Sequence, residues 1–200
     1  RIKFGREDLD YWLPLILGAE ESTNVFKTAD RTRWFDVLVY KGSQFPTMEY
    51  KNCKVVRAVF SGSTGGVINM DLDIMCRRQE EFTAQTFAQI EDVATSFTPS
   101  LGTRPLRFAE GFFSLNAIEC KFEEFSLSIA NNHSPAYFAG ADYFTAADEG
   151  KRTTTLNLPA ATTSAIDEYY NRGFEGLAGI LKWSADNMET RVDMPQLMWP

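Results

Sequence analysis

Asn52-Cys53-Lys54-Val55-Val56-Arg57-Ala58-Val59-Phe60-Ser61 and Glu119-Cys120-Lys121-Phe122-Glu123-Glu124-Phe125-Ser126-Leu127-Ser128 read as one building block used twice. From a shared opening, Asn52 to Val55 against Glu119 to Phe122, the copies run in step. Ala58 and Phe60 fall opposite Phe125 and Leu127, while Arg57, Val59 and Ser61 fall opposite Glu124, Ser126 and Ser128. Each block leads to a second alternating segment. In the first, Ile68, Met70, Leu72 and Ile74 are separated by Asn69, Asp71 and Asp73; in the second, Thr154, Leu156 and Leu158 alternate with Thr153, Thr155 and Asn157. Alternation with period two marks a strand with one buried and one wet face. A doubled hairpin is a device for building sheet, so the question becomes what is assembled rather than which reaction is catalysed.

Upstream, Asp10 to Leu17 predicts a short helix, because Leu9, Trp12, Leu13, Ile16 and Leu17 form one apolar stripe. Pro14 is tolerable only near the first turn, and Gly18 reads as the stop. Glu20 to Arg33 is polar and reads as loop or extended arm. Trp34 to Tyr40 is rich in strand formers, and Gly42 to Pro46 turns the chain into the first hairpin. The hairpin tip, Ser61 to Gly66, tolerates positive φ. It lacks the Lys-Ser/Thr of a phosphate loop and leads into a strand, so it reads as a turn.

Between the blocks, Glu80 to Phe97 fits a helical face through Phe87, Ile90 and Val93 or Ala94, against a competing alternation of Phe82, Ala84 and Thr86. Thr98 to Arg107 reads as a crossover. The second hairpin carries a long insertion, Asn131 to Lys151, with four exposed-looking aromatics: Tyr137, Phe138, Tyr143 and Phe144. A loop of this length suits an assembly element, with a loop packed on its own aromatics as the plainer reading. Ser164 and Asp167 then open a helix through Ile166, Tyr169 and Tyr170 that Gly173 ends. Leu177 to Trp183 and Arg191 to Met194 read as strands, the latter ended by Pro195.

The chain has 200 residues, enough for one domain or two small halves sharing a core. Sixteen Phe, 7 Tyr and 4 Trp exceed what a core this size absorbs readily, so aromatics are expected both in cross-strand pairs and at subunit interfaces. Twenty basic residues face 27 acids, and the longest basic run is Arg77-Arg78, which argues against a tight nucleic-acid binder. Cys53, Cys76 and Cys120 form no paired framework and no C-x-x-C motif, as expected of small buried hydrophobes made in a reducing cytoplasm. No apolar run approaches membrane-spanning length. The chain opens on Arg1 without Met, which leaves room for native terminal sequence.

The order of these segments resembles the phage tail tube (major tail) protein family. From Ala117, a strand runs into Ile129-Ala130-Asn131-Asn132. A long loop leads to Glu149-Gly150-Lys151-Arg152 and the Thr-rich strand Thr153 to Leu158. The Tyr169-Tyr170 and Arg172 helix follows, then Leu177 to Trp183 and the closing Asp193-Met194-Pro195-Gln196-Leu197. In the N-terminal half, Ile16-Leu17-Gly18 ends the helix and Tyr50-Lys51-Asn52-Cys53-Lys54-Val55 opens the first hairpin.

The resemblance implies a mainly β (β+α) fold. It is a β-sandwich or partial barrel built from two related β-hairpins with a flanking helix, closing into a multi-subunit β-barrel ring. The whole chain, 1–200, would be a single tail-tube domain. Its two pseudo-repeated halves would span about 34–79 and 112–160, with a C-terminal helix and strands in 163–197.

The implied function is structural: a virion tail subunit, made in the host cytoplasm, whose hexameric rings stack into the conduit for viral DNA ejection. It would be cofactor-free and non-enzymatic. Its partners would be copies of itself, a tape-measure protein, and tail terminator and distal tail proteins, with double-stranded DNA passing without adhesion. The wet positions Asn69, Asp71, Asp73, Glu124, Ser126, Ser128, Thr153, Thr155 and Asn157 would line the lumen. Because the first hairpin's loop is plain, the insertion with Tyr137, Phe138, Tyr143 and Phe144 would make the ring-to-ring contact.

Other chemistry finds less support. His133 has no cysteine or acidic cluster at ligand spacing, so neither a metal site nor a catalytic triad is expected there. Asn132-His133-Ser134 matches a glycosylation sequon by chance in a cytoplasmic chain. Asp71 and Asp73 are better read as a wet strand face than as a cation site or acid pair. Two rivals stay open: an inner tube of a contractile injection or secretion machine, and a soluble β-sandwich module binding carbohydrate or another ligand.

Overall fold

The computed structural model describes residues 2–3, 6–22, 25–39, 45–82, 106–140, 142–159, 177–185 and 188–197. In chain order the elements are β1 (Ile2–Lys3), α1 (Arg6–Leu17), β2 (Gly18–Ser22), β3 (Val25–Thr28), β4 (Phe35–Val39), β5 (Met48–Ser63), β6 (Asn69–Glu81), a 3-10 turn (Phe108–Glu110), β7 (Gly111–Leu115), β8 (Ile118–Cys120), β9 (Glu124–Ala130), β10 (Ser134–Ala136), β11 (Ala146–Asp148), β12 (Thr153–Asn157), β13 (Leu177–Ala185) and β14 (Met188–Leu197).

Both expected hairpins form. β5 and β6 pair antiparallel from Met48↔Glu81 to Ser61↔Asn69, turning at Thr64-Gly65, where Gly65 has φ +77°. β9 and β12 pair from Ala130↔Thr153 to Ser126↔Asn157. The hairpins then join each other through β5 and β9, from Arg57↔Ala130 to Ser63↔Glu124. The result is one antiparallel sheet in the order β1-β6-β5-β9-β12, with β4 beside the first half of β5. The sheet does not close into a barrel within the described chain.

The match between the two openings does not carry over to the fold. Asn52 to Val55 lies inside the continuous strand β5, whereas Glu119 and Cys120 end β8, in a different sheet. The chain crosses between sheets at Lys121 to Glu123 and resumes as β9. The cause is a two-residue turn at Asn116-Ala117, with φ of +46° and +67°, which folds β8 back on β7. Paired positive φ values are those of the tight hairpin turns whose twist suits flanking strands.

The apolar side of the main sheet packs against a second sheet, β14-β13-β7-β8. Phe60, Met70, Phe125, Leu127 and Ile129 from the first meet Phe113, Cys120, Leu181 and Trp183 from the second in one cluster. Phe125 stands 5.2 Å from Trp183 and 6.3 Å from Phe108, ring centre to ring centre, so phenylalanines are consumed in the sandwich core. Each such side chain removed from water contributes roughly 1.5–3 kcal/mol. Leu9, Leu15 and Ile16 of α1 join the same cluster.

Several boundaries differ from expectation. The helix is longer, and Pro14 lies in its interior. The lost hydrogen bond costs about 3 kcal/mol, which the burial of Leu9, Leu15 and Ile16 offsets. Gly18 does end the helix, at φ +99°; a Cβ there would sit 2.3 Å from the Arg31 carbonyl oxygen. Of the two readings of Glu20 to Arg33, loop or extended arm, the extended one fits as far as Thr28, since β2 and β3 form a ribbon. Pro195 does not end the last strand but lies within β14, where the register slips between Leu177↔Leu197 and Gly179↔Met194. A bulge on an edge strand is where a missing N–H is tolerated.

Glu80 and Glu81 belong to β6, so a helix beginning at Glu80 is ruled out there. The remainder of that segment from residue 83, and the expected helix around Tyr169-Tyr170, lie outside the described residues.

Ala117 holds a left-handed conformation that costs an L-residue about 1 kcal/mol. Ala117→Gly should therefore raise the unfolding free energy by about that amount in urea titration. A lower midpoint in the variant would contradict the turn geometry.

Candidate functional site

Strand register decides which side chains share a face. Directly opposed residues in antiparallel strands point the same way. Asp73, Arg57, Ala130 and Thr153 form one row across the four central strands. Asp71, Val59, Ser128 and Thr155 form the next, and Asn69, Ser61, Ser126 and Asn157 the third. Ser63 and Glu124 follow at the hairpin end. All nine residues picked from sequence as one wet face therefore lie on one face of one sheet. Three of them are carboxylates. Arg57 is the only base in these rows, and its Nε donates to Ser128 Oγ at 3.1 Å. An open depression of about 520 Å³ lies at the end of this face, among Ser61, Ser63, Asn69, Glu124, Ser126 and Asn157.

The two flanks of this sheet are open among the described residues. β12 pairs only with β9, and β6 beyond Met70 pairs only with β5, because β1 reaches no further than Asn69 and Met70.

The insertion is not a structureless loop. β10 and β11 make it a two-stranded ribbon, from Ser134↔Asp148 to Ala136↔Ala146. Its base is fixed by Asn131, which is 2% exposed. The Asn131 backbone N donates to Val56 O at 2.7 Å. Its side-chain Nδ2 donates to Val55 O at 2.8 Å and to Ile16 O at 3.0 Å. Arg152 Nε donates to Asn131 Oδ1 at 2.6 Å. Next to it, Asn132 adopts φ +52° and its Nδ2 donates to Lys151 O at 2.7 Å. Gly150 must stay a glycine, because a Cβ there would lie 2.0 Å from Asn132 O.

A charged cluster lies beside this knot. Lys54, 3% exposed, pairs with Glu149 and lies 4.6 Å below the Trp34 ring. The His133 ring lies between Thr32 and Glu149. Its Nε2 is 2.9 Å from Thr32 Oγ1, and its Nδ1 is 3.1 Å from Glu149 Oε2 without a hydrogen bond between them. Burial holds the His133 pKa below its ordinary value; Glu149 pulls it up, and Lys54 and Arg152 push it further down. His133 thus has an acidic neighbour that sequence spacing did not show. Among the described residues no group of His, Cys, Asp and Glu could hold a metal ion.

The four insertion aromatics divide. Tyr137, Phe138 and Tyr143 are 66%, 62% and 49% exposed. Phe144 is buried, contrary to expectation, because it stacks on Trp34 at 6.5 Å and meets Tyr137 edge-on at 6.2 Å. A chain of contacts therefore runs from Lys54 through Trp34 and Phe144 to Tyr137, fastening the ribbon to the body.

Asn131→Leu keeps the volume and removes the partner of two buried carbonyls and of Arg152 Nε, so it should lower stability by about 3 kcal/mol or more. A urea midpoint within experimental error of the parent's would refute the role given to this side chain. For His133 the folded state favours the neutral ring, so its contribution is intact above the unfolded pKa, near 6.5, and is lost as pH falls below it. His133→Gln should therefore narrow the drop in melting temperature between pH 7.5 and 5.5, the range about that pKa; an equal drop in both proteins would exclude the histidine as its source.

A search of the curated proteins finds no match. A search against protein families matches residues 3–176 of the 200 to the family described as phage tail tube protein. That match takes in both hairpins, the polar face and the ribbon with its knot. Among the described residues no helix is long and apolar enough to cross a membrane. The chain belongs to the phage tail tube protein family, a structural virion family rather than an enzyme family.

Proposed function

We propose that the subunit closes into hexameric rings whose stacked sheets form a conduit for DNA ejection. The observation that carries this reading is the pair of flanks left open, among the described residues, on the sheet that bears the polar face. An unpaired strand edge is a template for another chain. Pairing β6 of one subunit with β12 of the next is a head-to-tail contact, and such contacts generate a ring when the rotation closes. The two hairpins, read as related halves of about 34–79 and 112–160, then supply a continuous wall. Asn69, Asp71, Asp73, Glu124, Ser126, Ser128, Thr153, Thr155 and Asn157 face the lumen.

The wall chemistry suits passage. Lysines and arginines would hold a duplex through counterion release, whereas carboxylates and hydroxyls leave it hydrated and moving. Tyr137, Phe138 and Tyr143 make the contact to the neighbouring ring, with Phe144 anchoring the ribbon from within. Tape-measure, terminator and distal tail proteins are the further partners, and the virion tail is the working location after synthesis in the host cytoplasm.

Asp71→Lys with Asp73→Lys tests the reading. Negative-stain microscopy should show the parent and the variant forming the same rings or tubes, while phage carrying the variant eject DNA more slowly, most clearly at low salt. Unchanged ejection would take these residues off the wall or make its charge irrelevant. Isolated particles of the parent at every concentration would favour a ligand-binding module instead.

A further inference from the structure

Cys53 and Cys76 are directly opposed on β5 and β6, and their Sγ atoms stand 2.7 Å apart, well inside van der Waals contact. Opposed residues in an antiparallel ladder have Cα atoms about 4.5 or 5.5 Å apart, and both separations lie within the range a disulfide accepts. Cys120 is on the other sheet, with its Sγ donating to Ile118 O at 3.4 Å. The pair is therefore set apart from the third thiol by geometry.

We propose that Cys53 and Cys76 are an oxidative crosslinking site, joined by exchange with a low-molecular-weight disulfide. Cys76 is part exposed and Cys53 is fully buried, so Cys76 reacts first. Its thiolate, having given its proton to solvent, attacks one sulfur of the small disulfide. That S–S bond breaks, and the departing thiolate takes up a proton. Cys53, deprotonated in turn, attacks the Cys76 sulfur, forming the Cys53–Cys76 bond and expelling the second small thiol. Two electrons pass from the protein to the small disulfide, which leaves as two thiols. Burial pushes the Cys53 thiol pKa upward, so the second step is the slow one.

The bond would fasten the stretch of β6 that, among the described residues, has only β5 beside it. On the tail-tube reading, and only for this point, the thiols stay reduced in the cytoplasm and close after the particle leaves it.

The test uses oxidised glutathione on the purified full chain, followed by denaturation and alkylation. One of the three cysteines, Cys120, should then be alkylated. The mass should fall by about 2 Da from the reduced form, the loss of two hydrogens. Peptide mapping should find Cys53 joined to Cys76. Cys120→Ser should keep the mass loss, Cys76→Ser should abolish it, and the oxidised parent should melt higher than the reduced one. Three alkylated thiols after prolonged exposure, a lasting glutathione adduct on Cys76, or a link that includes Cys120 would overturn the proposal. None of these readouts depends on tube formation.

Discussion

Asn131 ties down a fault in the longest strand, and the polar face depends on that fault. β5 slips register between Val55 and Arg57. Before the slip, Cys53 and Val55 point into the core; after it, Ala58 and Phe60 do. Without the extra residue, strict alternation from Val55 would send Arg57 and Val59 inward and put Ala58 and Phe60 in the wet rows, since a one-residue shift turns every later side chain over. The bulge turns the Val56 carbonyl out of the regular ladder, and the Asn131 backbone N–H takes it at 2.7 Å. The side-chain amide then takes Val55 O and Ile16 O. One buried residue thus satisfies the bulge, the last turn of α1 and, through Arg152, the return of the insertion.

Part of this was legible in the sequence. Alternation found both hairpins and the wet face, because period two is written locally in neighbouring residues. The Asn131 knot was not legible, since its bonds span 76 and 115 residues, and the His133–Thr32 contact spans 101. Ligand-spacing rules look along the chain and could not bring Glu149 to His133. Four of the segments on which the family resemblance rests meet here: Ile16-Leu17-Gly18, Lys54-Val55, Asn131-Asn132 and Glu149 to Arg152. What these four share is not a strand pattern but convergence on one site.

The misreadings have physical causes as well. The turn at Asn116-Ala117 contains no glycine, so the rule that seeks Asn-Gly passes over it, and the likeness of the two openings spans a change of sheet. Phe144 looks like its exposed neighbours in sequence, because nothing near it along the chain shows that Trp34 lies against it. Neither Pro14 nor Pro195 breaks its element. One is overridden by the burial of the surrounding helix residues, and the other sits at a bulge on an outer strand.

The charges at the base of the insertion explain how an exposed ribbon can be held in one position. Lys54 is buried and Arg152 part-buried, and such charges are costly unless their hydrogen-bonding groups are matched, as they are here by Glu149 and Asn131. Here they fix the ribbon where it leaves and re-enters the sheet. Asn132 Nδ2 bonds Lys151 O at 2.7 Å and approaches Thr153 Oγ1 at 3.4 Å, while Asn131 holds Arg152. Lys151 and Arg152 lead directly into Thr153, the first residue of the open flank β12. A force on the ribbon must therefore either break these bonds or move the start of β12 with it. The same polar knot that positions the insertion also sets where the sheet's free edge begins.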